Sequence, residues 1–185
     1  MERRRFAGKM EQEMEPAAPA VIRRAEVPDL AEVAAIFAHY VTDSVATFEE
    51  EPPPVGAWEQ RLADLTERSL PFLVAEADGT VCGYAYASPW RPKPAYRHTV
   101  EDSVYLAPGQ IGRGIGSALI GNLLADCAQA GARQMIAVIA DTGSDASAAL
   151  HARFGFSPAG RLTGVGYKHG RWIDTLLMQR SLPSP

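Results

Sequence analysis

Three glycines at alternate positions, Gly112, Gly114 and Gly116, stand in the run Gln110-Ile111-Gly112-Arg113-Gly114-Ile115-Gly116-Ser117. An apolar stretch ending at Leu106 precedes them and a long helical pattern follows. Glycine lets the backbone turn sharply and approach a ligand closely. The first amides of a helix have no intrahelical acceptor, and the aligned peptide dipoles add partial positive charge there. Strand, glycine turn and helix start together suit a phosphate or pyrophosphate. Two nucleotide patterns fail on local grounds. A Walker A loop needs Gly-Lys-Ser/Thr, and this run has no lysine. A G-x-G-x-x-G fingerprint started at Gly112 ends on Ser117, and one started at Gly114 ends on Leu119. The loop alone leaves open a glycine-rich turn that binds nothing.

Two other groups lie close by in sequence. Glu101 and Asp102 are adjacent carboxylates in the strand-like run Thr99 to Leu106. Strand alternation sends them to opposite faces, so only one can share a site with the loop. A solvated surface charge is the ordinary alternative for either. The segment Trp90-Arg91-Pro92-Lys93-Pro94-Ala95-Tyr96-Arg97 holds three cations and no acid, stiffened by two prolines. It suits an anionic group such as a carboxylate, which an arginine fork can grip; cations that keep a loop soluble are the alternative. His39 and His98 have no partners at metal-ligand spacing, so no metal is expected.

The elements that must position these groups follow from periodicity. Val21–Arg24 reads as a short strand. Pro28 and Asp29 open a helix whose apolar residues Leu30, Val33, Phe37, Tyr40 and Val41 recur at helical spacing. The run Pro52-Pro53-Pro54 precedes a second amphipathic helix over Val55 to Glu67. Phe72–Glu76 and Val81–Ala87 flank Asp78-Gly79, a hairpin signal. Thr99–Leu106 is the fourth strand. The glycine loop then opens a helix bearing Leu119, Ile120, Leu123, Leu124 and Cys127 on one face, with Gly131 as its C-terminal cap. Met135–Ile139 is continuously apolar, the pattern of a strand buried on both faces. A short helix runs from about Asp145 to Phe154. Strands at Leu162–Val165 and Ile173–Met178 close the chain. The order is β-α-α-β-β-β-α-β-α-β-β, an α/β (α+β) arrangement without internal repeats.

Composition bounds the class. The 185 residues suffice for one ordinary domain, and 46% hydrophobic with 22% charged residues is a globular balance. Residues 1–20 carry four basic and four acidic residues and almost no large apolar ones. They are expected to form a disordered tail ahead of a single domain at 21–182. The formal net charge of −4 lacks the excess that drives binding to phosphate backbones, so no nucleic-acid partner is expected. No run of about 18 apolar residues exists, so no membrane span is expected. Cys82 and Cys127 sit in apolar runs and read as buried free thiols. With no secretory h-region at the N-terminus, a cytoplasmic location is expected.

Arg113-Gly114-Ile115-Gly116-Ser117-Ala118-Leu119 resembles the acetyl-CoA pyrophosphate loop of the GNAT acetyltransferase superfamily, and the element order matches that fold. Three further motifs are similar to its phosphinothricin and methionine sulfone/sulfoximine acetyltransferase branch. They are Tyr96 to Tyr105, Leu150-His151 with Phe154-Gly155-Phe156, and Gly166 to Trp172 with Asp174. The resemblance implies an N-acetyltransferase with a mixed central sheet of about seven strands and about four helices. Its donor would be acetyl-CoA, its acceptor a small amino-acid-like amine, and its assembly a homodimer.

Residue by residue, the resemblance implies pyrophosphate contacts from Gly112, Arg113, Gly114, Ile115, Gly116 and Ser117. Backbone groups of Val104, Tyr105 and Leu106 would meet the pantetheine, beside a fifth strand splayed from the fourth. Ser144 falls where relatives carry a cofactor-touching asparagine. Acetyl transfer needs a neutral amine, and deprotonating a lysine-like amine at pH 7 costs about 4.6 kcal/mol. A positioned base removes much of that cost, and the resemblance selects Glu101, acting through water. His151 falls where a tyrosine commonly protonates the leaving thiolate; a packed histidine with a satisfied ring is the alternative. Arg91, Pro92, Lys93 and Tyr96 would contact the acceptor, and Phe48 would cover it or simply pack. Tyr167, Lys168, His169, Trp172 and Asp174 are expected in the last hairpin and a subunit interface.

Overall fold

The structure, a computed structural model, describes residues 20–183; the tail expected at residues 1–20 therefore lies outside the described residues except for Ala20. Seven strands and four helices follow one another in the expected order. They are β1 (Val21–Arg24), α1 (Leu30–Asp43), α2 (Val55–Glu67), β2 (Phe72–Ala77), β3 (Thr80–Pro89), β4 (Thr99–Leu106), α3 (Ile115–Gln129), β5 (Gln134–Ala140), α4 (Ala146–Arg153), β6 (Ser157–Lys168) and β7 (Arg171–Ser181). The strands form one sheet, ordered β1-β2-β3-β4-β5-β7-β6. Only β4 and β5 run parallel, joined by the α3 crossover.

Each face of the sheet has its own core. On one, α3 buries Leu119, Ile120, Leu123 and Cys127 against Leu73, Ala75, Ala85, Val100 and Met135. Each fully buried leucine or isoleucine there contributes about 1.5–3 kcal/mol. On the other, α1 and α2 bury Leu30, Val33, Phe37, Val41, Trp58 and Leu65 against Phe72, Val74, Tyr84 and Tyr86. Edge-to-face contacts of Phe37 with Trp58 and Tyr105, at 5.3 and 5.2 Å, join the second helix layer to β4. The Asp78-Gly79 hairpin forms as its residues dictate, with φ of 52° and 74°. Gly131 follows the end of α3 at φ 87°. Cys82 and Cys127 are buried free thiols.

Two sequence expectations are corrected. The apolar fifth strand is buried on both faces only at Met135–Ala137, and Val138 is 40% exposed. The cause is topological: β4–β5 pairing ends at Asp102 with Ala137, so the last residues of β5 lose a neighbour. The last hairpin is also longer than its apolar segments suggest, because β6 starts at Ser157 and continues to Lys168. Gly160, Gly164 and Gly166 interrupt its alternation and coincide with register shifts against β7. Asp174 braces this bulged edge, accepting the Gly164 amide at 2.8 Å and Arg161 Nε at 2.8 Å.

Candidate active site

The gap between β4 and β5 organises everything around it. Residues Thr99–Asp102 pair with β5, whereas Ser103–Leu106 pair only with β3. The Ala107 amide donates to Cys82 O, so alternation turns the odd-numbered residues of β4 toward β3. Val104 and Leu106 therefore present backbone groups to the gap. Tyr105 does not, which corrects the grouping of all three as open backbone. The Leu106 carbonyl already accepts the Tyr40 hydroxyl at 2.8 Å.

At the end of the gap the glycine loop enters α3. Gly112 and Gly114 have φ of 84° and 81°, values that side-chain-bearing residues rarely adopt. The first helical bond runs from the Ala118 amide to Gly114 O, at 3.0 Å. The Ile115, Gly116 and Ser117 amides thus have no intrahelical acceptor at the positive end of a 15-residue helix. Arg113 Nη1 donates to Gln110 Oε1 at 2.7 Å, holding the loop's cation in place. Arg153, at the end of α4, donates to Ser117 Oγ at 3.3 Å and brings a second cation to this end of the helix. Gly116 has a packing reason as well: a Cβ there would lie 3.1 Å from Leu150 Cδ2, so the glycine lets α4 approach α3. Ser144 lies exposed before α4, its Oγ accepting the Ala146 amide at 3.3 Å. Amides, dipole, two arginines and an open strand edge are a donor set suited to a pyrophosphate with an amide-bearing tail.

The two neighbouring carboxylates do separate. Asp102 is buried on the α3 face, 8% exposed, with Oδ2 at 2.8 Å from Nε2 of His151, which is 4% exposed. The other ring nitrogen, Nδ1, donates to Ser147 O at 2.7 Å, and Phe156 packs edge-on against the ring at 5.0 Å. Both nitrogens are committed, the arrangement of a packed and satisfied histidine. Burial alone disfavours the imidazolium; the Asp102 hydrogen bond and charge, with the Ser147 carbonyl, outweigh it and raise His151 above the ordinary histidine range. Asp102 Oδ1 has no hydrogen-bond partner among the described residues. This pair sits where β4 and β5 part, pinning α4 to the mouth of the gap.

Glu101 points to the opposite face, half-buried. Burial pushes its carboxyl up and the Asp102 charge pushes it further, against the pull of Arg91. Arg91 belongs to the basic loop, where Trp90, Arg91, Pro92, Lys93 and Tyr96 line a concavity of about 480 Å³. The Arg91 guanidinium stacks on the Trp90 ring at 4.7 Å. Neither Arg91 nor Lys93 has a carboxylate within ion-pair distance among the described residues. Phe48 is 42% exposed, and its ring rests on Gly166 of β6. Glu101, the two cations and Phe48 thus come from three separate stretches of chain.

Sequence reasoning missed the Asp102–His151 pair, Arg153 and the burial of Lys168. A signal existed for the first. Asp102 alternates with Val100 and Val104 on an apolar face, and a carboxylate buried there needs a partner. Arg153 and Lys168 carried none, since their neighbours come from distant segments.

Residues 22–177 match the acetyltransferase (GNAT) domain family. The chain belongs to that family and is an acyltransferase of its N-acetyltransferase type. It is 51% identical over 154 residues to the phosphinothricin N-acetyltransferase of Alcaligenes faecalis, covering 83% of this chain and 78% of that one. It is 38% identical to the L-methionine sulfoximine/L-methionine sulfone acetyltransferase of Pseudomonas aeruginosa, covering 88% of this chain and 95% of that one. Among solved structures it is similar to a GNAT superfamily phosphinothricin acetyltransferase from Sinorhizobium meliloti in complex with acetyl-CoA. That similarity has a TM-score of 0.85 and 44% identity, over 89% of each chain.

Proposed function

We propose that the chain transfers the acetyl group of acetyl-CoA to the amino group of a small amino-acid-like acceptor of the phosphinothricin or methionine sulfone/sulfoximine type. The observation that carries this reading is the half-buried Glu101 near the start of the β4–β5 gap, within reach of the Arg91 charge, with Lys93 lining the same concavity as Arg91. The loop Gly112–Ser117, Arg153 and the open edge at Val104 and Leu106 would hold the donor. Bound there, acetyl-CoA supplies the activated acetyl group and departs as the free thiol.

Arg91 and Lys93 hold the acceptor's carboxylate, and Tyr96 and Phe48 enclose its side chain. Glu101 takes a proton from the acceptor's ammonium, through water, and frees the lone pair that attacks the acetyl carbonyl. Its raised pKa suits this task, because a stronger base removes an ammonium proton at smaller cost. We assign His151 to positioning α4 rather than to proton donation, since its Nε2 faces Asp102 and its Nδ1 faces Ser147. A thiol ionises near pH 8.5, so the leaving group can take its proton from water.

The test is thiol release from acetyl-CoA across amino-acid analogues, peptides and aminoglycosides. Turnover of the sulfone, sulfoximine or phosphinothricin analogues is expected; turnover confined to peptides or aminoglycosides overturns the acceptor assignment. We further infer a homodimer, supported by the exposed Val165, Tyr167 and Trp172 on one side of the last hairpin. Sedimentation at a single-chain mass would overturn it.

A further inference from the structure

The motif Gly166-Tyr167-Lys168-His169-Gly170 contains a residue that the transfer chemistry leaves unused. Lys168 is 5% exposed, although lysine is rarely buried unless paired. No carboxylate lies within ion-pair distance of it among the described residues. Its Nζ donates instead to the Thr47 carbonyl at 2.8 Å, across 121 positions of sequence. Burial pushes the amine down, and the nearby charges of Glu50 and Glu49 pull it back. A methionine would fill the same space without the desolvation cost of an ammonium. What the ammonium adds is a directed bond to one main-chain oxygen, in the peptide unit that joins Thr47 to Phe48.

Two residues earlier, Gly166 lies under the Phe48 ring. A Cβ there would meet Phe48 Cζ and would stand 2.6 Å from both Cε1 and Cε2, so no other residue fits unless the ring moves. Tyr105, on the Glu101 face of β4, lies beside Thr47. The segment around Thr47 and Phe48 is thus fastened to the β6–β7 hairpin and lies beside β4. In the acetyl-transfer reading above, Phe48 of this segment covers the acceptor.

We propose that Lys168 is a positioning residue that sets acceptor specificity. By holding the Thr47 carbonyl it seats Phe48 on Gly166 as a fixed wall, and that wall limits the length of side chain the site admits. The inference rests on the acetyl-transfer reading above.

The experiment compares wild type with Lys168→Met in the full chain, measuring kcat and KM for methionine sulfone, phosphinothricin and a series of longer 2-amino acids. The KM for the short acceptors is expected to rise by about tenfold, and discrimination against long ones to fall by about as much, with kcat and the acetyl-CoA KM changed by less than about threefold. Gly166→Ala, which displaces the ring by another route, should give the same loss of discrimination. In a Phe48→Ala background, Lys168→Met should change acceptor KM by less than about twofold, because its effect acts through the ring. Unchanged discrimination in both single variants, additive effects with Phe48→Ala, or failure of both single variants to fold would each overturn the role of Lys168. Wild type that turns over none of the amino acids would instead overturn the functional reading itself.

Discussion

The two sides of the β4–β5 gap are built on different principles. The proposed donor side comes from one continuous stretch, residues 99–153, and would work largely through main-chain groups. Its devices are the edge of β4, the amides opening α3, and two glycines in the left-handed region. The proposed acceptor side is assembled from Phe48, the basic loop at 90–97, Glu101 and the hairpin residues Gly166 and Lys168. It would work through side chains carried mostly by loops. Their contrast suits the proposed ligands: a shared donor can be read by backbone geometry, while an acceptor must be told apart by charge and size.

Glu101→Gln is the sharpest way to break this comparison, because it touches the reaction and leaves the donor side intact. Turnover should fall about 10²–10⁴-fold while calorimetry shows unchanged acetyl-CoA affinity. In the wild type, activity should be lost as pH falls through the raised Glu101 pKa, so the acid limb of kcat/KM should lie above the usual carboxylate range. A limb at the ordinary glutamate value would remove Glu101 from the base role.

Next in size, Asp102→Ala leaves a buried imidazole without its partner and should cost about 3–5 kcal/mol of stability, read by urea denaturation. The pair also predicts a pH dependence with a fixed sign. Its His151 pKa is raised on folding, so its contribution is full below the unfolded histidine value and is lost as pH rises through the folded one. The wild-type midpoint should therefore fall at alkaline pH, and Asp102→Asn should lack that slope.

Smaller effects test the donor side alone. Gly114→Ala places a Cβ at φ 81° and should cost about 1–2 kcal/mol with weaker acetyl-CoA binding, read by thermal melting with and without the ligand. Arg153→Ala should raise the acetyl-CoA Kd by only about two- to fivefold, and the difference should shrink in high salt. A change in acceptor KM from Arg153→Ala would blur the division between the two sides.

Much of the donor side was legible because its parts are consecutive. Glycines at alternate positions, an apolar strand before them and a 3.6-residue stripe after them are short-range patterns, and the parallel crossover follows from them. Glu101 and the cation-rich loop were legible as residue types, Asp102 only by its alternation with valines. The bulged β6 was not, because an exposed edge strand interrupted by glycines carries no period. Lys168 and Arg153 look like surface cations in sequence; one is buried under a distant loop, and the other reaches another helix.

By itself the sequence determined the order of elements, the two core faces and the chemistry of the loop that opens α3, all consequences of local periodicity and backbone freedom. The tertiary structure decided where β5 leaves β4, that His151 meets Asp102 49 positions away, and that Phe48 rests on Gly166. The physical reason is range: periodicity and capping act within a few residues, whereas these contacts exist only once the sheet has brought distant segments together.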